Sequence, residues 1–212
     1  MLDTLLERAG LTAALTRAVA QYHAETADHL RRVRAVTALL AADAALSPEL
    51  EAAATCAAAL HDVGKLAIAQ EVLARAGPLS DEEWGAVKRH SGIGAAIVQL
   101  LAPRAPEVAL AVRSHHERWD GSGYPDGLSE EAIPLSGRII AVADTLDAVT
   151  HHRSYSPTAL SASDAVELVH AHSGTQFDPR LVTALVGRYH REPQALLGAL
   201  RSGDGPMGPT SG

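Results

Sequence analysis

Residues 47–65 read SPELEAAATCAAALHDVGK, and the fold turns on what this stretch becomes. Ser47 followed by Pro48 is an N-cap ahead of a first-turn proline, whose fixed φ and missing N–H suit a helix start. The interior of the run to Leu60 is apolar on every side, so the spacing predicts a central, buried helix. That helix ends in His61-Asp62-Val63-Gly64-Lys65, and a charged cluster at the end of a buried helix demands compensating partners.

The rest of the chain supports a helical reading. Its 212 residues suffice for one sizeable domain and are short for two. Hydrophobic residues make up 47% and aromatics 3%, with alanine supplying much of the apolar content, which points to an all-α fold. A formal charge of −7 with no basic stripe argues against a nucleic-acid polymer as partner and leaves room for a small anionic ligand. The single cysteine, Cys56, can form no intramolecular disulfide and reads as a small core residue in a reducing compartment. Asp3 and Glu7 stand where a signal peptide would be basic, and no apolar run reaches the roughly twenty residues that span a bilayer. A cytoplasmic protein with no membrane segment is expected.

Helical periodicity is expected over residues 3–20, with Gly10 as a dividing point, and over 25–42, where Leu30, Val33, Val36 and Leu40 share a stripe beside Glu25, His29 and Arg32. Ser80 to Glu83 forms a capping box for a helix reaching His90, after which Gly92 and Gly94 break the chain or allow close packing. Another helix leads to His115-His116, and a Gly/Pro loop runs from Asp120 to Pro134. Residues 137–150 form a helix with Asp144 and Asp147 one turn apart. Ser163 and Asp178-Pro179 cap two further helices, and a last one spans 193–200. Residues 1–201 are expected to form one domain and 202–212 a flexible tail rich in glycine, proline and serine.

Glu25, His29, His61, Asp62, His90, His115, His116 and Asp144 are the metal-capable residues that fall on helix faces or ends. All are imidazoles or carboxylates, a set that suits Fe, Mn, Zn or Ni at a hydrolytic centre and disfavours a cysteine-rich structural site. Eight candidates exceed the needs of one ion and fit two or three. Neighbouring residues on a helix point about a hundred degrees apart, so His61 and Asp62 can face different ions with Asp62 between them. Lys65, just past the helix end, is placed to hold a phosphate by its point charge.

His61-Asp62-Val63-Gly64-Lys65 matches an HDxGK signature, and residues 115–125 match HHExxDGxGYP. With these two motifs, in this order and spacing, the chain resembles the HD-GYP family of metal-dependent phosphohydrolases. The resemblance runs from about Glu25 to Tyr189 and takes in Ala143 to Ala148, Arg153-Ser154-Tyr155 and Gly174 to Pro179. It implies an HD-superfamily helical bundle and a phosphodiesterase that hydrolyses cyclic di-GMP, or a related cyclic dinucleotide, to pGpG or GMP in bacterial second-messenger signalling. It implies two or three divalent ions, iron or manganese ahead of zinc or nickel, and no organic cofactor. His29, His61, Asp62, His90, His115, His116 and Asp144 would be ligands of two metals, and Glu25 is the carboxylate that three-metal members recruit. Asp62 and Lys65 would be catalytic. Lys65 and Arg153 would hold phosphates, and Gly121, Gly123, Tyr124 and Pro125 would shape the substrate pocket. Ser154 and Ser156 replace a proline and a basic residue common in the family, which removes one expected phosphate contact. Regulatory input would come through a protein partner or a homodimer. Two rivals are a catalytically weak dinucleotide receptor and another HD-type nucleotide phosphohydrolase.

Other residues read more plainly. Glu117 and Asp120 are expected to organise the loop through backbone N–H groups, and Asp147 to support neighbours without ligating metal. His151 and His152 are assigned to the surface or to supporting contacts. Trp84 and Trp119 read as packing residues, with Trp119 the nearer to the loop.

Overall fold

A computed structural model describes residues 2–22, 26–75, 77–151 and 159–201, and among these every regular element is helical. In chain order they are α1 (Leu2–Tyr22), α2 (Thr26–Asp43), α3 (Pro48–Leu60), α4 (Gln70–Leu73), α5 (Asp81–Lys88), α6 (His90–Leu101), α7 (Pro106–Ser114), α8 (Leu135–Thr150), α9 (Ala162–Ala171), α10 (Pro179–Arg191) and α11 (Pro193–Arg201). Short 3₁₀ turns occupy Val63–Ala67 and Glu130–Ala132. The all-α expectation holds.

α3 is the hub. Ser47 accepts a hydrogen bond from the Leu50 N–H and Pro48 fills the first turn, while Ala53, Ala54, Ala57, Ala58, Ala59 and Leu60 are buried. Small side chains let α1, α2, α7 and α8 approach α3 closely. Leu30, Val33, Val36 and Leu40 of α2 and Ile139, Val142 and Leu146 of α8 are also buried. Each such aliphatic side chain contributes about 1.5–3 kcal/mol on leaving water. α11 returns to pack on α2 and α10.

Three local expectations are corrected. α1 runs through Gly10 without a break, because one glycine costs only about 1 kcal/mol in a helix otherwise well supported. Of the two readings of Gly92 and Gly94, a break or close packing, the break falls at Arg89 instead, and α6 passes through both glycines. Their role is close packing: a Cβ on Gly94 would lie 3.1 Å from Val112 and 3.2 Å from the Gly64 nitrogen. The cap of α9 is Ser161, whose backbone is extended and whose hydroxyl accepts the Asp164 N–H, so Ser163 lies within the helix.

Candidate metal centre

Helix ends deliver the histidines. His61 follows α3, His90 follows α5 and opens α6, and His115 follows α7. In each, Nδ1 donates to the carbonyl three residues earlier: His61 to Ala58 at 2.8 Å, His90 to Val87 at 2.6 Å and His115 to Val112 at 2.7 Å. A carbonyl can only accept, so these bonds satisfy orphan helix-end oxygens and place the proton on Nδ1. Every Nε2 lone pair is thereby turned into the interior.

The lone pairs converge in two groups, His29 with His61 and Asp62, and His90 with His115 and His116, whose ligand-capable atoms lie within 4.8 Å of one another in each group. Asp62 joins them. Its Oδ2 is 3.6 Å from Nε2 of both His29 and His61, and its Oδ1 is 3.5 Å from Nε2 of His90. Asp144 enters from α8, with Oδ1 3.5 Å from His29 Nε2 and 4.0 Å from His61 Nε2. His116 lies against the His115, His90 and Tyr124 rings at centroid distances of 4.0, 5.0 and 4.8 Å. Glu25 and Arg153 lie outside the described residues, as do His152, Ser154 and Ser156.

The donor set fits a divalent cation on its own chemistry. His90 and His115 hold their protons on Nδ1, yet their Nε2 atoms are 3.3 Å apart. Burial pushes the pKa of both below the ordinary histidine value, so both are neutral near pH 7. Two facing lone pairs repel, and a shared cation resolves that repulsion.

The other pair behaves differently. Burial opposes protonation of His29, but its bond to Asp147 and the nearby Asp62 and Asp144 carboxylates raise its pKa to about 9. His61 is lowered by burial, so the single proton between His29 Nε2 and His61 Nε2, 3.2 Å apart, belongs to His29. Burial opposes ionisation of Asp62, but Lys65 and the histidines outweigh it and hold the carboxyl well below its usual range. Asp144 is likewise lowered against burial, by His29 and then His61. The metal-free centre therefore presents two anions, an imidazolium at His29 and otherwise neutral imidazoles.

These shifts predict a pH optimum for the metal-free fold. His61, His90, His115 and His116, the last lowered to about 3 mainly by burial, take up protons more readily when unfolded, so stability falls as pH drops from 6.5 towards 3. His29 has the opposite sign, and its contribution is complete below 6.5 and lost as pH rises through 9. Melting of chelator-treated chain across pH 4–9 should peak near neutrality and fall more steeply on the acid side; a flat profile would contradict the assignment.

Asp147 supports this centre without joining it. Its Oδ2 accepts from His29 Nδ1 at 2.6 Å, its Oδ1 accepts from Arg32 Nε at 2.5 Å, and His151 Nδ1 is 3.2 Å from Oδ1. Sequence reasoning placed Arg32 beside the His29 stripe and saw no role for it; the signal was a buried guanidinium with a carboxylate on a facing helix. Asp147→Asn should weaken metal binding by His29 about 10–100-fold. Competition with a chromogenic chelator checks this, and affinity unchanged within threefold would refute it.

The loop after His116 is built as its composition suggests. Glu117 accepts the Asp126 N–H at 2.7 Å and the Leu128 N–H at 3.1 Å, and Asp120 accepts the Ser122 N–H at 2.9 Å. The Trp119 and Asp120 N–H groups bond to the Gln176 and Thr175 carbonyls, tying the loop to the approach to α10. A Cβ on Gly123 would come within 2.4 Å of the Arg118 nitrogen, so only glycine fits there. Gly121, at φ 80°, turns the chain beside Ser129 and Gly127. Tyr124 is the loop residue that reaches the cluster, and its bond to Pro125 is cis. Lys65 Nζ donates to Asp62 Oδ2 at 2.7 Å. A separate apolar cavity of about 570 Å³, lined by Leu15, Cys56, Val98 and Leu101 among others, contains none of the ligand candidates.

Comparison with known proteins identifies the family of this bundle. The HD domain family model matches residues 13–181. The chain is 43% identical over 173 residues to the cyclic di-GMP phosphodiesterase response regulator RpfG of Xanthomonas campestris pv. campestris, covering 81% of this chain and 46% of that protein. It is 38% identical over 173 residues to 3′3′-cGAMP-specific phosphodiesterase 2 of Vibrio cholerae, covering 81% and 33%. The chain thus spans less than half the length of these relatives. Among solved structures, the cyclic GMP-AMP-specific phosphodiesterase V-cGAP3 of V. cholerae superposes with a TM-score of 0.69 at 22% identity, over 92% of this chain and 50% of that one. Bd1817, an HDG"Y"P protein of Bdellovibrio bacteriovorus, gives a TM-score of 0.60 at 22% identity, over 76% and 52%. The likeness to these two structures establishes the bundle, and the HD domain match over residues 13–181 spans most of the chain: the chain belongs to the HD domain family.

Proposed function

We propose that this chain is a metal-dependent phosphodiesterase of the HD-GYP type that opens cyclic di-GMP, or a related cyclic dinucleotide, to a linear product. The observation that carries the reading is Asp62, whose two oxygens face two separate histidine groups at 3.5 and 3.6 Å. Two neighbouring divalent ions, when bound, lower the pKa of water and neutralise charge on phosphoryl oxygens. His29, His61, Asp62 and Asp144 would hold one ion, and His90, His115, His116 and the other oxygen of Asp62 the second. Glu25 is assigned to a third. Imidazole and carboxylate donors support iron or manganese.

The chain's own groups do the rest. The carbonyl-anchored rings fix the ligand geometry before substrate arrives, so little reorganisation is needed. Lys65, whose side chain is 25% exposed beside Asp62, would be placed to hold a substrate phosphate. Arg153 is proposed to hold the second phosphate, while Gly123 and Tyr124 set the loop wall. Cytoplasmic location and input through a partner protein or a second copy belong to the same proposal; no helix among the described residues is long and apolar enough to cross a membrane. Residues 1–201 are proposed as one domain, since α1 and α11 both pack on α2.

A substrate panel tests the reading. Anaerobically purified chain supplied with iron or manganese should turn over cyclic di-GMP or 3′3′-cGAMP and leave nucleoside mono- and triphosphates untouched. Tight binding without turnover would favour the receptor alternative, and turnover confined to mononucleotides would favour the other HD-type phosphohydrolase.

A further inference from the structure

Trp84 is the feature that the metal centre does not absorb. An indole left 45% exposed keeps apolar area in water that a helix face would ordinarily bury. Its position is fixed, because the Ser80–Glu83 capping box anchors the first turn of α5 immediately before it. Its ring meets Tyr124 nearly perpendicularly, with centroids 6.3 Å apart and planes at 79°. Tyr124 in turn lies on His116 at 4.8 Å and 31°. A row of rings thus leads from the ligand cluster to the surface, and Trp84 is its outer member.

Trp119 is the contrasting case. The guanidinium groups of Arg138 and Arg180 lie 5.7 and 5.8 Å from its ring centroid, so the protein has already supplied its stacking partners. Among the described residues the one ring contact of Trp84 is the Tyr124 edge, and no described guanidinium lies over its face.

We propose that Trp84 forms the stacking wall of a nucleobase subsite, receiving one purine of a cyclic dinucleotide whose phosphate lies at the metal centre. The inference rests on the cyclic-dinucleotide reading above. The chemistry is that of a π-face beside a charged site: the phosphate is held by the cluster, and the base attached to it reaches outward to the exposed ring. Stacking needs no particular hydrogen-bond pattern, so the subsite accepts either purine and contributes affinity more than choice between guanine and adenine.

The chain has two tryptophans, so Trp119→Phe leaves Trp84 as the sole indole reporter. Stopped-flow mixing of manganese-loaded Trp119→Phe protein with cyclic di-GMP should give saturable quenching of its emission. In the otherwise native chain, Trp84→Ala should raise KM about 10–100-fold with kcat changed less than about threefold, and Trp84→Phe should restore KM to within about fivefold. Turnover without quenching, or a KM unmoved by Trp84→Ala, overturns the subsite and leaves the phosphodiesterase reading intact. Quenching without turnover keeps the subsite and sinks that reading, and the absence of both sinks the two together.

Discussion

Replacing Asp62 by alanine should reduce turnover of a cyclic dinucleotide by on the order of 10³-fold or more. The expectation comes from geometry. One carboxylate lies within 3.6 Å of His29, His61 and His90, so its removal takes a ligand from both groups at once. It also removes one of the two anions that would balance the ions, and leaves Lys65 without its 2.7 Å partner. Asn should not rescue, because an amide keeps the shape but has no charge and only one accepting atom. Metal analysis of the variant should show fewer tightly held ions than the native chain, with helical circular dichroism unchanged. A folded Asp62→Ala protein with native turnover would remove Asp62 from the mechanism.

Gly64→Ala should be the most damaging substitution of a residue with no chemistry of its own. A Cβ there would lie 1.9 Å from the His90 carbonyl oxygen and 2.7 Å from the Gly94 nitrogen. Both are backbone atoms, so no rotamer change relieves the overlap. α6 must move away from the 3₁₀ turn, and His90 is the first residue of α6. Overpacking of this kind costs about 1–3 kcal/mol, equivalent to a Tm lower by roughly 2–12 °C in a chain of this size. Loss of the His90–His115 ion should accompany it, so turnover should fall further than stability alone explains. Gly198→Ala is the control: nothing lies within 4 Å of its would-be Cβ, and its Tm should stay level or rise. Equal behaviour of the two variants would show that the close approach at Gly64 does not position His90.

The parts of this centre that could be read from sequence are those encoded locally. His61 and Asp62 at the end of an alanine-rich helix, the His115-His116 pair before a glycine loop, and Asp144 on an amphipathic helix each announce themselves by residue type in an unfavourable setting. The assignment of Glu117 and Asp120 to backbone N–H groups succeeded for the same reason, since both partners lie within about a dozen residues. What was not legible depends on distant packing. Arg32 meets Asp147 across 115 residues of sequence, and neither helix alone specifies the pairing. The break at Arg89 follows from the tight fit of Gly64 and Gly94, where the 3₁₀ turn, α6 and α7 pack together. The contrasting surroundings of Trp84 and Trp119 arise from Arg138, Arg180 and Tyr124, which belong to other elements.

The most direct test is a metal titration of the chelator-treated chain under anaerobic conditions, with cyclic di-GMP hydrolysis and bound ions measured at every step. Turnover should stay near zero while the first ion binds, rise as the second enters, and reach its plateau at two or three ions per chain. Full turnover in the metal-free chain or with one ion, or no hydrolysis of any cyclic dinucleotide at saturation, would contradict an Asp62-bridged centre built for this reaction.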